Sequence, residues 1–245
     1  MSPMLTIARR EFRSYFDSPL AYVVICLSFL GLGLLFFLWP GTGFWQQDRA
    51  TLQTLFRFAP AGLSILVIPV ITMRLMAEER RSGTLEMLIT LPVKDSDVIM
   101  GKYLGALGLV LTLVIATVLY PLFLFKFPWV LGVLDDGPVL SGYLGLILFS
   151  LAATAVGLLI SSLTDSQSIA FFLTFFVLGV FWFSGILADY LPGTVANVLN
   201  FMSFESRMEG FMRGLIDTRD IVFFLSVTCV ALVIAFRALE RRKWA

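Results

Sequence analysis

The chain alternates long apolar runs with short polar stretches, and the runs have the length of bilayer spans. Uncharged segments occupy 20–39, 58–73, 103–125, 137–164, 166–188 and 221–236, against the roughly 20 apolar residues a helix needs to cross a hydrocarbon core. The two shorter runs are bordered by Arg57 and Arg74 and by Arg219 and Arg237, whose long stems reach the interface. The pattern predicts an all-α membrane protein, a single domain over 1–245 with six spans near 20–39, 57–77, 101–125, 139–163, 167–188 and 219–238. Ahead of the first span, a helix at about 100° per residue gathers Met4, Leu5, Ala8, Phe12, Tyr15 and Phe16 on one side. Arg9, Arg10, Arg13, Ser14 and Asp17 fall on the other, with Ile7 breaking the pattern. This predicts an amphipathic helix in the membrane interface, its arginines near anionic head groups.

Between the second and third runs lies the most charged part of the chain, 74–102. The helix of the second span is expected to be kinked by Pro69, to run on past Met76 through Glu78, Glu79, Arg80 and Arg81, and to break at Gly83, because proline removes a backbone donor and glycine tolerates a left-handed turn. Thr84 is then placed to cap a short helix over 85–90. Leu85, Leu88 and Ile89 share one face of it and Glu86 and Thr90 the other, Pro92 ends it, and Asp95 or Ser96 caps the next long helix. Gly101, Gly105 and Gly108 recur at i, i+4 and i+7, a small-residue stripe suited to close approach by another helix. The loop over 189–220 is too polar to span but carries Val198, Leu199, Phe201, Phe204 and Phe211, which predicts short helices resting on, or re-entering, the outer leaflet. Met202, Met208 and Met212 offer soft sulfur ligands, but among phenylalanines they read as apolar packing.

Composition sharpens the class. The 245 residues are 58% hydrophobic and 14% charged, with a mean hydropathy of +0.90, which excludes an ordinary soluble domain. A net charge of +1 supplies no basic surface for nucleic acid. Cys26 and Cys229 lie in apolar runs and read as small buried hydrophobes rather than metal ligands; histidine is absent, removing the commonest general base and zinc ligand. Arg9-Arg10-Glu11-Phe12 superficially matches a twin-arginine export signal, but the apolar run that follows is too long for a cleavable core. Twelve of the 18 Lys and Arg residues fall in the N-terminal segment, 74–102 and the C-terminal tail. Positive-inside bias therefore places both termini in the cytoplasm, in a bacterial inner membrane. No Asp, Glu, Lys or Arg sits near the middle of a span, and no G-x-x-x-x-G-K-[ST] loop is present. This argues against an ion-coupled carrier and against an ATP site in this chain. Ser161 and Ser162 lack a base, which argues against an intramembrane hydrolase.

The segment E-E-R-R-S-G-T-L-E-M-L-I-T-L-P-V at 78–93 resembles the cytoplasmic coupling region of ABC-type-2 exporter permeases, with their E-E-x-x-x-G-T-x-E-x-L pattern. A-R-R-E-F-R-S-Y-F-D-S-P-L-A-Y near the start, and G-L-I-D-T-R-D-I-V-F-F-L-S and L-E-R-R-K-W near the end, resemble the gliding-motility-associated permease subgroup. The resemblance implies a half-transporter. Two permeases, as homodimer or heterodimer, form the pathway, and two separate ABC ATPase subunits, which carry ATP and Mg, dock beneath. It assigns ATPase coupling to Glu78, Glu79, Gly83, Thr84, Glu86 and Leu88, and ATPase contact to the N-terminal helix bearing Arg9, Arg10, Phe12 and Arg13. The expected function is export of an unidentified substrate. The alternative is mechanical relay of ATPase motion to a periplasmic or envelope partner, without translocation.

Overall fold

A computed structural model of the chain describes residues 2–40, 43–44, 51–81, 83, 94–126 and 134–241. These residues form helices and no strand. The helices are α1 (Pro3–Asp17), α2 (Pro19–Leu38), α3 (Gln53–Gly62), α4 (Ile68–Thr72), α5 (Ala77–Arg81), α6 (Asp95–Thr117) and α7 (Leu119–Lys126). After them come α8 (Asp136–Leu163), α9 (Gln167–Ala188), α10 (Thr194–Met202), α11 (Phe204–Met212) and α12 (Thr218–Arg241). Six helical stretches are long and apolar enough to cross a membrane: Ala21–Leu38, Gln53–Arg81, Asp95–Leu124, Asp136–Leu163, Gln167–Ala188 and Thr218–Glu240. Their alternation puts α1, α5, the α8–α9 turn and the end of α12 at one end, the terminal end. The end of α2, the start of α3, α10 and α11 lie at the other.

α8 is the axis of the bundle, with 78% of its most apolar window buried. Small residues allow this: an added Cβ would lie 2.4 Å from the Phe56 ring at Gly142, 2.8 Å from Phe211 at Gly145 and 2.5 Å from Thr72 Oγ1 at Gly157. Ala152, Ala153 and Ala155 are fully buried between these positions. Where lipid gives helices little hydrophobic reason to associate, such close backbone approach supplies the dispersion contact that holds them together. α12 makes its largest contact with α8, and α1 makes its largest with α6.

The second span is broken in two places rather than simply kinked. A π-helical turn, Leu63–Val67, precedes Pro69; Ile68 N–H reaches back to Leu63 O, and the extra residue in the turn accommodates a proline that cannot donate. The helix then stops at Thr72, turns over 73–76 and resumes at Ala77. The expectation of a continuous helix past Met76 is thereby corrected. Gly83 has φ +70°, a left-handed conformation suited to glycine. Thr84, Glu86 and Leu88, and the whole expected helix over 85–90, lie outside the described residues. α6 begins at Asp95 with Lys94 as its N-cap residue and no side-chain cap bond. The expectation that Asp95 or Ser96 caps it gives way to Asp95 and Asp97 inside the first turn, where carboxylates favour the positive end of the helix dipole.

Cys26 and Cys229 are exposed on the outward faces of their spans, not buried as expected; in a span, the outward face meets lipid and an apolar side chain needs no core. In the 189–220 loop, α11 buries Phe204, Met208, Phe211 and Met212 against the bundle. α10 buries nothing and leaves Val195, Val198 and Phe201 outward. Ser203 Oγ accepts from Ser206 N–H and caps α11, and Gly193 and Gly214 hold the positive φ angles at the ends of the pair. The methionines are divided, Met202 exposed on α10 and the other two packed beneath α11.

Candidate functional site

Glu79 and Lys102, from the charged stretch 74–102, meet α1. The meeting depends on the glycine stripe. An added Cβ at Gly101 would sit 2.8 Å from Ile7 Cβ, at Gly105 2.6 Å from Glu11 Cβ, and at Gly108 3.0 Å from the Phe12 ring, so α1 lies directly on the α6 backbone. Ile7, the exception to the apolar face drawn from sequence, is the side chain that contacts Gly101. Leu5, assigned to that face, is half exposed. The inward stripe is therefore Met4, Ile7, Ala8, Glu11, Phe12 and Tyr15, rotated from the predicted one because the partner surface is a helix groove rather than a flat interface.

That rotation carries a carboxylate inward. Lys102 is buried, its side chain 2% exposed, and its Nζ lies 3.0 Å from Glu11 Oε1 and 2.8 Å from Glu79 Oε1. Arg10 Nη2 adds a 3.3 Å contact to Glu11 and a looser 3.9 Å one to Glu79. One ammonium thus joins the N-terminal helix, the end of the second span and the start of the third. Desolvating a lysine is costly, and charge-assisted hydrogen bonds to two carboxylates offset it. Farther along α1, the Tyr15 hydroxyl donates to Ile71 O at 3.0 Å. Burial, reinforced by the Glu11 charge, pushes that hydroxyl well above its ordinary range and keeps it a donor.

A second junction closes the same end. The turn over 73–76 frees backbone donors, and Ser161 Oγ accepts from Met76 N–H at 3.1 Å and Ala77 N–H at 3.3 Å. Arg80, whose side chain is 4% exposed, donates to Ser162 O, to Thr164 O at 3.2 Å and to Asp165 at 3.1 Å. It satisfies the carbonyls that the end of α8 leaves without helical partners. Ser161 thus caps the amides freed by the 73–76 turn.

Of the residues singled out from sequence, Glu79, Arg10, Phe12 and the three glycines converge here. Arg9 and Arg13 are exposed on the opposite side of α1, and Glu78 and Gly83 are exposed as well. Glu11, Lys102, Arg80 and Ser161 were missed as site residues. Glu11 was legible as a carboxylate one turn from Ile7 and one from Tyr15, and Lys102 as a lone cation inside a glycine stripe. Arg80 and Ser161 depend on contacts between elements over 80 residues apart, and no local pattern marks them.

Residues 46–237 match the model of a family described as ABC-2 family transporter protein. No curated protein matches the chain.

Proposed function

This chain belongs to the ABC-2 transporter family, and from that premise we propose that it is the permease subunit of an ATP-driven exporter, powered by separate ATPase subunits. The observation that carries the proposal is the Lys102 junction with Glu11 and Glu79. A stem that must transmit a push from a docked ATPase has to be fixed to the helices it moves, and this ion network ties α1, α5 and α6, the last two of which bracket the 84–93 segment in the chain. In this reading the terminal end is cytoplasmic and α1 packs along the start of α6. Glu78, Gly83, Thr84, Glu86 and Leu88 then form the surface offered to the ATPase, with a second permease copy or a related chain completing the pathway. The likeness to the gliding-motility-associated subgroup is carried as a family label, without implying motility.

Glu86→Lys is expected to lose the ATPase on purification, or to uncouple hydrolysis from transport, while leaving membrane insertion intact. Co-purification in mild detergent, with ATPase and vesicle-flux assays, reads this. Unchanged assembly and transport would overturn the coupling role. Hydrolysis stimulated only by an envelope protein, with no flux, would favour mechanical relay instead.

A further inference from the structure

Thr72, Ser150 and Thr228, buried in the spans, close their hydroxyls on their own helices, donating to Ile68 O at 2.8 Å, Leu146 O at 2.7 Å and Phe224 O at 2.8 Å. Ser64, Thr154 and Thr174 do not. Each is fully buried, and none of the three hydroxyls has a hydrogen-bond partner among the described residues. A buried polar group without a partner is costly in any protein interior, and no bulk water reaches hydrocarbon depth to relieve it. Ser64 carries a second bare group. It stands in the π-helical turn Leu63–Val67, and its carbonyl would accept from Ile68 N–H in an α-helix or from the nitrogen of residue 69 in a π-helix. Ile68 N–H goes to Leu63 O and Pro69 has no N–H, so helical bonding at either register leaves the Ser64 carbonyl open.

Packing brings these groups to neighbouring depths. Gly142 lies against the Phe56 ring and Gly157 against Thr72, so α8 and the second span run in parallel, and Ser64, midway between Phe56 and Thr72, is level with Phe149 and Ser150. Between those two close contacts α3 and α4 pack on α8, while the π-turn that joins them stands off from it and packs on α9. Ser150, Thr154 and Gly157 recur at i, i+4 and i+7 and share one face of α8, the face that meets the second span at Thr72. On α9, Ala170, Thr174, Leu178 and Trp182 form a buried stripe, and the Trp182 ring meets that of Phe149 edge-on, centroids 5.9 Å apart. α8 and α9 run in opposite directions; counted toward the terminal end, Thr154 lies five residues from Phe149 and Thr174 eight from Trp182. At 1.5 Å per residue these are about 7.5 and 12 Å, less than a turn apart. The three hydroxyls therefore share about 10 Å of depth, on three spans that all pack on one another.

We propose that the interval between the π-turn, α8 and α9 is a binding site for a short chain of ordered water, which bridges the hydroxyl and carbonyl of Ser64 to Thr154 and Thr174. A water bonds partners about 2.8 Å away, so one molecule does not join groups spread over about 10 Å, and about two or three do. Water donates to the Ser64 carbonyl and trades donor and acceptor roles with the hydroxyls, making the several bonds a buried water needs. It supplies the donor that Pro69 withholds, and so lets the second span keep its break at hydrocarbon depth. No carboxylate stands on the three facing stripes to balance a cation, which favours water over a metal ion. The site uses no residue of the Lys102 junction and does not depend on the permease reading.

The test exposes the full chain, in mild detergent, to short pulses of X-ray-generated hydroxyl radicals and locates oxidised side chains by mass spectrometry. Ile68 is fully buried and close to the level of Thr154, where radicals arise only from water held inside the bundle. Wild type is expected to be oxidised at Ile68, and the double variant Thr154→Val, Thr174→Val to lower that oxidation at least roughly fivefold. Thermal unfolding gives an independent reading. Removing a hydroxyl that bonds water loses a hydrogen bond, so Thr154→Val and Thr174→Val, each alone, should lower the melting temperature by about 2–4 °C; removing a dry, unpaired hydroxyl would raise it. Circular dichroism checks that each variant is folded, and Ser64→Ala, expected to lower both readings, decides where a threonine variant fails to fold. Absence of oxidation at Ile68 in the wild type, or a raised melting temperature in a folded variant, overturns the proposal. So does stabilisation of the wild type by sodium over choline at equal ionic strength, which would mark a cation site.

Discussion

Lys102 shows what a buried charge does in a bundle whose core is largely apolar. Removing it takes from Glu11 and Glu79 the buried cation they share and leaves the exposed Arg10 beside them, and breaking a buried pair typically costs about 3–5 kcal/mol. Lys102→Met is expected to destabilise the protein by about 3 kcal/mol, and adding Glu11→Gln and Glu79→Gln to recover most of that loss; thermal unfolding in detergent checks both. No recovery would mean that the lysine stem packs α1 and that its charge is incidental. Glu205 acts in the opposite sense at the remote end. Burial, outweighing the Arg57 attraction and aided by Glu209 and Asp189, raises its carboxyl above the ordinary range. A raised folded value means that its ionisation weakens the fold as pH climbs through that value, and that the cost is absent below the unfolded value. Glu205→Gln should therefore raise the melting temperature at pH 8 and leave it unchanged in acid near pH 4; a gain confined to acid would refute the assignment.

At the scale of elements, α1 is held by shape as much as by charge. The stripe of Gly101, Gly105 and Gly108 lets it lie on the α6 backbone, and an added side chain at Gly105 would collide with Glu11 Cβ at 2.6 Å and approach Ala8 O at 3.1 Å. Gly105→Leu is expected to lift α1 from the bundle while the six spans remain, so that limited trypsin cleaves at Arg9, Arg10 or Arg13 at least roughly tenfold faster, tracking the opening free energy of the local element. Equal cleavage of the two proteins would show α1 already detached. The broken second span follows a related logic. A helix that turns at 73–76 must find partners for its freed amides, and Ser161 of α8 accepts from two of them, while Arg80 in return donates to the carbonyls at the end of α8. Much of the element pattern was legible in the sequence, since run lengths indicated the spans and polar phenylalanine-rich spacing indicated the two short helices of 189–220. The face of α1 was not, because Ile7 and Glu11 point inward only in the presence of α6.

For the whole molecule, the six helices alternate in direction, and Lys and Arg concentrate at the terminal end. In the cytoplasm-facing orientation proposed here, cysteines placed at Ser2 and Ser166 should react with a membrane-impermeant maleimide only after permeabilisation. A cysteine at Thr194 should react in intact cells, with Cys26 and Cys229 replaced beforehand. The reverse pattern would invert the topology and exclude ATPase docking at Glu86.

Hydrophobic run length and charge placement act locally, and they were enough to determine a membrane protein of six spans, a charged segment after the second, and a polar loop with short helices before the last. The tertiary structure alone decided the rest. Lys102, Glu11 and Glu79 are separated in the chain by up to 91 residues, and their meeting depends on three glycines with no Cβ to hold two backbones apart. Arg80 likewise becomes the cap of α8 only when the end of the second span packs beside the end of α8. Sequence periodicity describes one helix against a uniform solvent; which partner replaces that solvent is settled by packing.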